Sequence, residues 1–151
     1  MSSMRVLVVE DFAPFSEFIR SILAERPDVQ VIGEVADGLE AVQKAELLEP
    51  DLVLLDIGLP TLNGIEAARQ IRKLAPKSKI IVLSQESSPE VVEEALNLGA
   101  WGYVVKRRAA SDLLAAVDAV LDCRPFVSFG IVDSEIQLTQ APRPAAAIKL
   151  P

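Results

Sequence analysis

Four of the five short apolar runs in this chain end in residues that can do chemistry. Glu10 and Asp11 follow the first run, Asp56 the third, Ser84 the fourth and Lys106 the fifth. The sequence contains no histidine, so any reaction must use carboxylates, hydroxyls or lysine. Three carboxylates gathered at one place repel one another unless a cation compensates them. Mg²⁺ suits that role, because it takes oxygen ligands and keeps several waters, leaving room for a backbone carbonyl and a phosphoryl oxygen. With the charge compensated, one carboxylate can attack a phosphoryl donor and become an acyl phosphate while the others remain ligands. The lysine ammonium of Lys106 and the hydroxyl of Ser84 would meet the charge on the transferring oxygens from the other side.

Each residue alone has an ordinary structural explanation. An acidic pair after a strand is commonly an exposed turn, and Asp56 could cap the next helix. Ser84 reads as a loop residue, Lys106-Arg107-Arg108 as a solvated basic face and Tyr103 as core. Only the joint pattern points to chemistry.

The elements that must position these groups can be read from periodicity. Arg5 to Val9, Val29 to Val35, Asp51 to Leu55, Lys79 to Leu83 and Tyr103 to Val105 are short apolar runs without polar alternation, which predicts five buried strands. Between them lie helical periods. Phe15, Phe18, Ile19, Ile22 and Leu23 recur on one face after Pro14 and before Pro27; Ala41, Val42, Ala45 and Leu48 follow Gly38; Ile65, Ala68 and Ile71 follow the turn-rich Gly58 to Gly64 stretch. Ser88 and Pro89 open a fourth helix that Gly99 ends, and Ser111 is expected to cap a fifth carrying Leu113, Leu114, Val117, Val120 and Leu121. Strict alternation with apolar strands predicts an α/β fold: a five-stranded parallel, doubly wound sheet with helices on both faces. Ligands of such sheets sit beyond the carboxyl ends of the strands, where these polar residues lie.

Composition narrows the function classes. At 151 residues, half of them apolar, the chain is sized for one globular unit. The single Cys123 excludes an internal disulfide and a cysteine zinc site, and no apolar run is long enough to span a membrane, so a cytoplasmic setting is expected. A net charge of −7 disfavours direct nucleic acid binding. Beyond Cys123 the pattern breaks: Phe126, Val127, Phe129 and Ile131 could cover a sheet edge, and the Ala- and Pro-rich stretch from Thr139 to Pro151 is expected to be a flexible tail.

The Glu10-Asp11 pair, Asp56-Ile57-Gly58-Leu59-Pro60 with Gly64, Leu83-Ser84 and Gly99-Ala100-Trp101-Gly102-Tyr103-Val104-Val105-Lys106 together resemble a bacterial two-component response-regulator receiver domain, with a CheY-like fold and NarL/FixJ-type features. The resemblance covers roughly residues 4 to 123 and implies the flavodoxin-like strand order 2-1-3-4-5. It implies that Asp56 is the phosphoacceptor, that Glu10, Asp11, Asp56 and the Gly58 carbonyl hold Mg²⁺, and that Lys106 contacts the phosphoryl group. Ser84 and Tyr103 would be the switch pair: a phosphoryl group draws the hydroxyl toward it, and the aromatic ring fills the vacated space. The implied partners are a sensor histidine kinase or phosphotransfer protein and a downstream protein or output domain, with a homodimer also open.

Two features depart from that pattern. Gln85 follows the switch hydroxyl where a small residue is common, which predicts slower phosphodonor access. Residues 124–151 read as a linker-like segment and tail, with no DNA-binding domain, so either a stand-alone receiver or a piece of a longer regulator is expected. Two other readings compete. A haloacid dehalogenase-type phosphatase also uses a strand-end aspartate, but it wants a second acid where this chain has Gly58. A receiver acting only as a binding module would bind its partner whether or not Asp56 is phosphorylated.

Overall fold

The computed structural model describes residues 3–59 and 62–128. The expected Thr139 to Pro151 tail lies outside the described residues, as do Phe129 and Ile131. Strands and helices alternate in the order β1 (Met4–Val9), α1 (Ala13–Leu23), β2 (Val29–Val35), α2 (Gly38–Leu48), β3 (Leu52–Asp56), α3 (Gly64–Leu74), β4 (Lys79–Ser84), α4 (Pro89–Asn97), β5 (Gly102–Val105), α5 (Ala109–Leu121) and β6 (Phe126–Val127). The strand order is β2-β1-β3-β4-β5-β6. The parallel α/β architecture is as expected, but the sheet has six strands where the sequence predicts five.

The extra strand has a local cause. Cys123 takes a left-handed conformation with φ 59°, and Arg124 N–H closes back on the Ala119 carbonyl. The chain then turns alongside β5, where Phe126 N–H donates to Trp101 O and Ser128 N–H to Tyr103 O, at 3.1 and 2.9 Å. A two-residue strand carries almost no periodicity, so only its apolar character was visible beforehand.

Contacts divide the chain into two compact units, Met1–Ile80 and Ile81–Pro151. In the first, β1 pairs in parallel with β2 on one side and β3 on the other. Val6 to Val9 and Val53 to Leu55 are fully excluded from solvent, which requires cover on both faces of those strands. Each such side chain contributes roughly 1.5–3 kcal/mol by burial. Asp37 caps α2 through Leu39 N–H, and Asn63 caps α3 through Glu66 N–H. Helix α1 buries Ile19, Ile22 and Leu23, but Phe18, expected on the same face, is 41% exposed. The helix ends at Leu23, ahead of Pro27, in a turn closed by Glu25 N–H to Ile22 O and Arg26 N–H to Leu23 O.

In the second unit β4 pairs with β5 and β5 with β6, all parallel. Ser88 caps α4 with Pro89 in its first turn, as expected, and Gly99 leaves the helix at φ 102°. Ser111 is not the cap of α5. A short 3₁₀ turn, Lys106–Arg108, runs straight into the helix at Ala109, and Ser111 sits within its first turn, its hydroxyl 3.1 Å from the Arg108 carbonyl.

Candidate functional site

Strands β1 and β3 are neighbours in register, Val9 opposite Leu55, so the residues that follow them emerge side by side. One oxygen each of Glu10, Asp11 and Asp56 lies within 4.8 Å of the others. Glu10 and Asp56 are 4% exposed, while Asp11 is open to solvent. Backbone amides hold the two buried carboxylates: Phe12 N–H donates to Glu10 Oε2 at 3.0 Å, and Gly58 N–H to Asp56 Oδ1 at 2.9 Å. At such separations each pair of like charges repels by roughly 3–4 kcal/mol at an effective dielectric near 20. An all-oxygen donor set of this charge fits a hard divalent cation such as Mg²⁺, and softer metals that prefer nitrogen or sulfur have no matching ligand in it.

The loop beyond Asp56 is pinned by Gly64. Its N–H donates to Ile57 O at 3.1 Å, and a Cβ there would lie 2.2 Å from Ile57 Cα and 2.5 Å from Asp56 O. Only glycine allows the start of α3 to approach the Asp56 backbone so closely. Gly38 plays a similar part at the start of α2, where a Cβ would meet the Leu62 carbonyl at 1.8 Å.

In the second unit, Ser84 and Tyr103 are brought together through a residue that sequence reasoning missed. Ser84 Oγ accepts from Glu86 N–H at 2.9 Å, and Tyr103 Oη donates to Glu86 O at 2.9 Å. Glu86 acts through its backbone, so its side-chain type gave no signal. The Tyr103 ring is fully excluded from solvent in this structure. Burial pushes its hydroxyl above the usual tyrosine range; a hydrogen bond with Ser84 opposes this and the Glu86 charge adds to it. Lys106, half-buried, heads the 3₁₀ turn directly after β5. Gln85 is exposed.

The family model for the response regulator receiver domain matches residues 6–118. The chain belongs to the response-regulator receiver family. The nitrate/nitrite response regulator protein NarL of Escherichia coli K12 is 34% identical over 112 residues, covering 74% of this chain and 52% of that one. A protein-glutamate methylesterase/protein-glutamine glutaminase of Thermotoga maritima is 39% identical over 132 residues, 81% of this chain and 38% of that one. Among solved structures, a LuxR-family two-component response regulator from Aurantimonas sp. SI85-9A1 superposes with a TM-score of 0.82 at 32% identity, covering 86% of this chain and 93% of that one. The NarL/FixJ-type resemblance holds, and the phosphatase and binding-only readings are not favoured.

The receiver spans about half or less of these two curated relatives. Receivers of this family bind Mg²⁺ at an acidic pocket, and Glu10, Asp11 and Asp56 form an acidic cluster here. They serve two-component signalling together with sensor kinases and output domains, and where a relative is an enzyme, as the methylesterase is, the receiver is one part of it. No helix among the described residues is long and apolar enough to cross a membrane.

Proposed function

We propose that Asp56 accepts a phosphoryl group from a sensor histidine kinase or phosphotransfer protein, and that the modified receiver changes its affinity for a protein partner or output domain. The observation that carries this reading is the carboxylate cluster, with Asp56 buried at the end of β3 beside Glu10 and Asp11. Glu10, Asp11, Asp56 and the Gly58 carbonyl would hold Mg²⁺, which when bound compensates the carboxylates and the phosphoryl oxygens. An Asp56 oxygen forms the bond to phosphorus as the bond to the donor breaks, and the donor leaves with the electron pair. Gly58 N–H, already donating to Asp56 Oδ1, orients the carboxylate for attack. Lys106 and Ser84 receive the new charge, and the Ser84–Glu86–Tyr103 connection passes the shift of the Ser84 hydroxyl to the aromatic ring.

On this reading residues 4–123 are the receiver and residues 124–151 a linker-like segment and tail. It works in the cytoplasm, without touching nucleic acid or membrane itself, and can pair with a second copy. Its chemistry is confined to its own phosphorylation and dephosphorylation. Intact-mass spectrometry after incubation with acetyl phosphate and Mg²⁺ tests it. One added phosphoryl group, lost in Asp56→Asn and with a chelator, is the expected result. No adduct in the native chain, with beryllofluoride also failing to bind, would overturn it.

A further inference from the structure

Around the turn that Lys106 heads lie polar contacts that the phosphoacceptor reading does not use. Ser128 follows β6 and is completely buried. Its N–H donates to Tyr103 O at 2.9 Å, and its Oγ accepts from Val105 N–H at 3.0 Å. One residue thus grips β5 on both sides of Val104, and the second grip is on the residue immediately before Lys106. Asp112, in the first turn of α5, holds the other end of the turn that follows β5. Asp112 is 6% exposed and also takes the Arg108 guanidinium, at 2.9 and 3.3 Å, and lies 3.1 Å from the Ser111 hydroxyl. Burial pushes its carboxyl up, but the hydrogen bonds from Arg108, Ser128 and Ser111 outweigh that and hold it below the ordinary range.

The 3₁₀ turn Lys106–Arg108 is therefore tied at both ends, at Val105 through Ser128 and at Arg108 through Asp112. A three-residue 3₁₀ turn has poor hydrogen-bond geometry and little stability of its own, so external ties decide where its first side chain points. We infer that Ser128 and Asp112 are positioning residues for Lys106: by clamping the turn, they fix the ammonium for its encounter with the phosphoryl group. The acceptor's reactivity then depends on residues 126–128 being seated against β5, and whatever pulls that segment away slows phosphotransfer. This inference rests on the proposed role of Lys106.

The test compares acetyl phosphate labelling rates of the native chain, Ser128→Ala, Ser128→Thr and Asp112→Asn, by intact mass, on proteins whose cooperative unfolding has first been checked. Losing one net hydrogen bond from the clamp predicts a roughly five-fold slower rate in Ser128→Ala and in Asp112→Asn. Ser128→Thr keeps the hydroxyl and returns to within about two-fold of the native rate. If Ser128→Ala fails to fold, Asp112→Asn alone carries the comparison. Native rates in the alanine and asparagine variants overturn the inference, and so does a threonine variant as slow as the alanine one, which would assign the loss to packing. No label on the native chain is a different result: it overturns the phosphoacceptor reading, and the clamp's role with it.

Discussion

Gly64→Ala is the perturbation whose cost follows most directly from the packing around Asp56. The added methyl would sit 2.2 Å from Ile57 Cα, 2.5 Å from Asp56 O and 3.0 Å from Ile57 C. Carbon atoms prefer separations of roughly 3.5–4.0 Å, so the start of α3 and the Asp56–Ile57 backbone must part by about 1.5 Å. Both sides are backbone, and neither can yield by rotating a side chain. The separation strains the Gly64 N–H to Ile57 O bond and pulls on the Asn63 cap, each worth about 1 kcal/mol. Overpacking adds about 1–3 kcal/mol, for about 3–5 kcal/mol in all, of which alanine's smaller loss of backbone entropy offsets up to about 1 kcal/mol, leaving about 2–4 kcal/mol. For a chain of this size that lowers the melting temperature by about 6–15 °C. Because the displaced atoms include the Asp56 carbonyl, labelling by acetyl phosphate falls even well below the melting range. Urea unfolding and intact mass measure the two effects. Stability within about 0.5 kcal/mol of native, with unchanged labelling, would refute the close-approach reasoning.

Tyr103→Phe removes the donor to the Glu86 carbonyl and is expected to cost about 1 kcal/mol, with faster hydrogen exchange at the Glu86 amide. Tyr103 is the chain's one tyrosine, so its ultraviolet titration is unambiguous, and its midpoint is expected above the usual value of about 10. A folded value raised this way means its contribution to stability is complete below about pH 10 and is lost as pH rises through the folded midpoint. Asp112 runs the opposite way: its folded value is depressed, so its contribution is present above about pH 4 and is lost as pH falls through the folded midpoint. Asp112→Asn therefore flattens the acid limb of a stability–pH curve measured by urea melts. Gln85→Ala is expected to label faster with acetyl phosphate than the native chain; equal rates would show that the exposed glutamine does not hinder the donor.

Side chains that declare their chemistry at the end of an apolar run were legible. Glu10, Asp11 and Asp56 fall after β1 and β3, whose near-continuous apolar runs could only be buried strands, and two neighbouring parallel strands deliver their next residues to one place. The Ser88–Pro89 helix start was legible for the same reason, since residue type alone specifies the cap geometry. What escaped was work done by backbone or by one-residue departures from period. Glu86 joins Ser84 to Tyr103 through its amide and carbonyl, which any residue would offer. Phe18 matched the α1 period yet lies exposed, because a helical face wider than the sheet can cover leaves its margin outside. Ser111 looked like a cap, but the 3₁₀ turn before it had already begun the helix.

The same distinction bears on how a receiver can be tuned. On the proposed function, the carboxylates at the ends of β1 and β3 would be the acceptor and the metal ligands, roles that residue type itself fixes. Lys106 directly follows a four-residue strand, and on the inference above its setting depends on groups outside that strand: Ser128, through Val105, and Asp112, through Arg108. Hydrogen bonds of about 1 kcal/mol hold that setting, large enough to change a rate several-fold and small enough for a bound partner to override. If the clamp sets the rate, whatever engages the chain next to β6 changes that rate without changing the reaction.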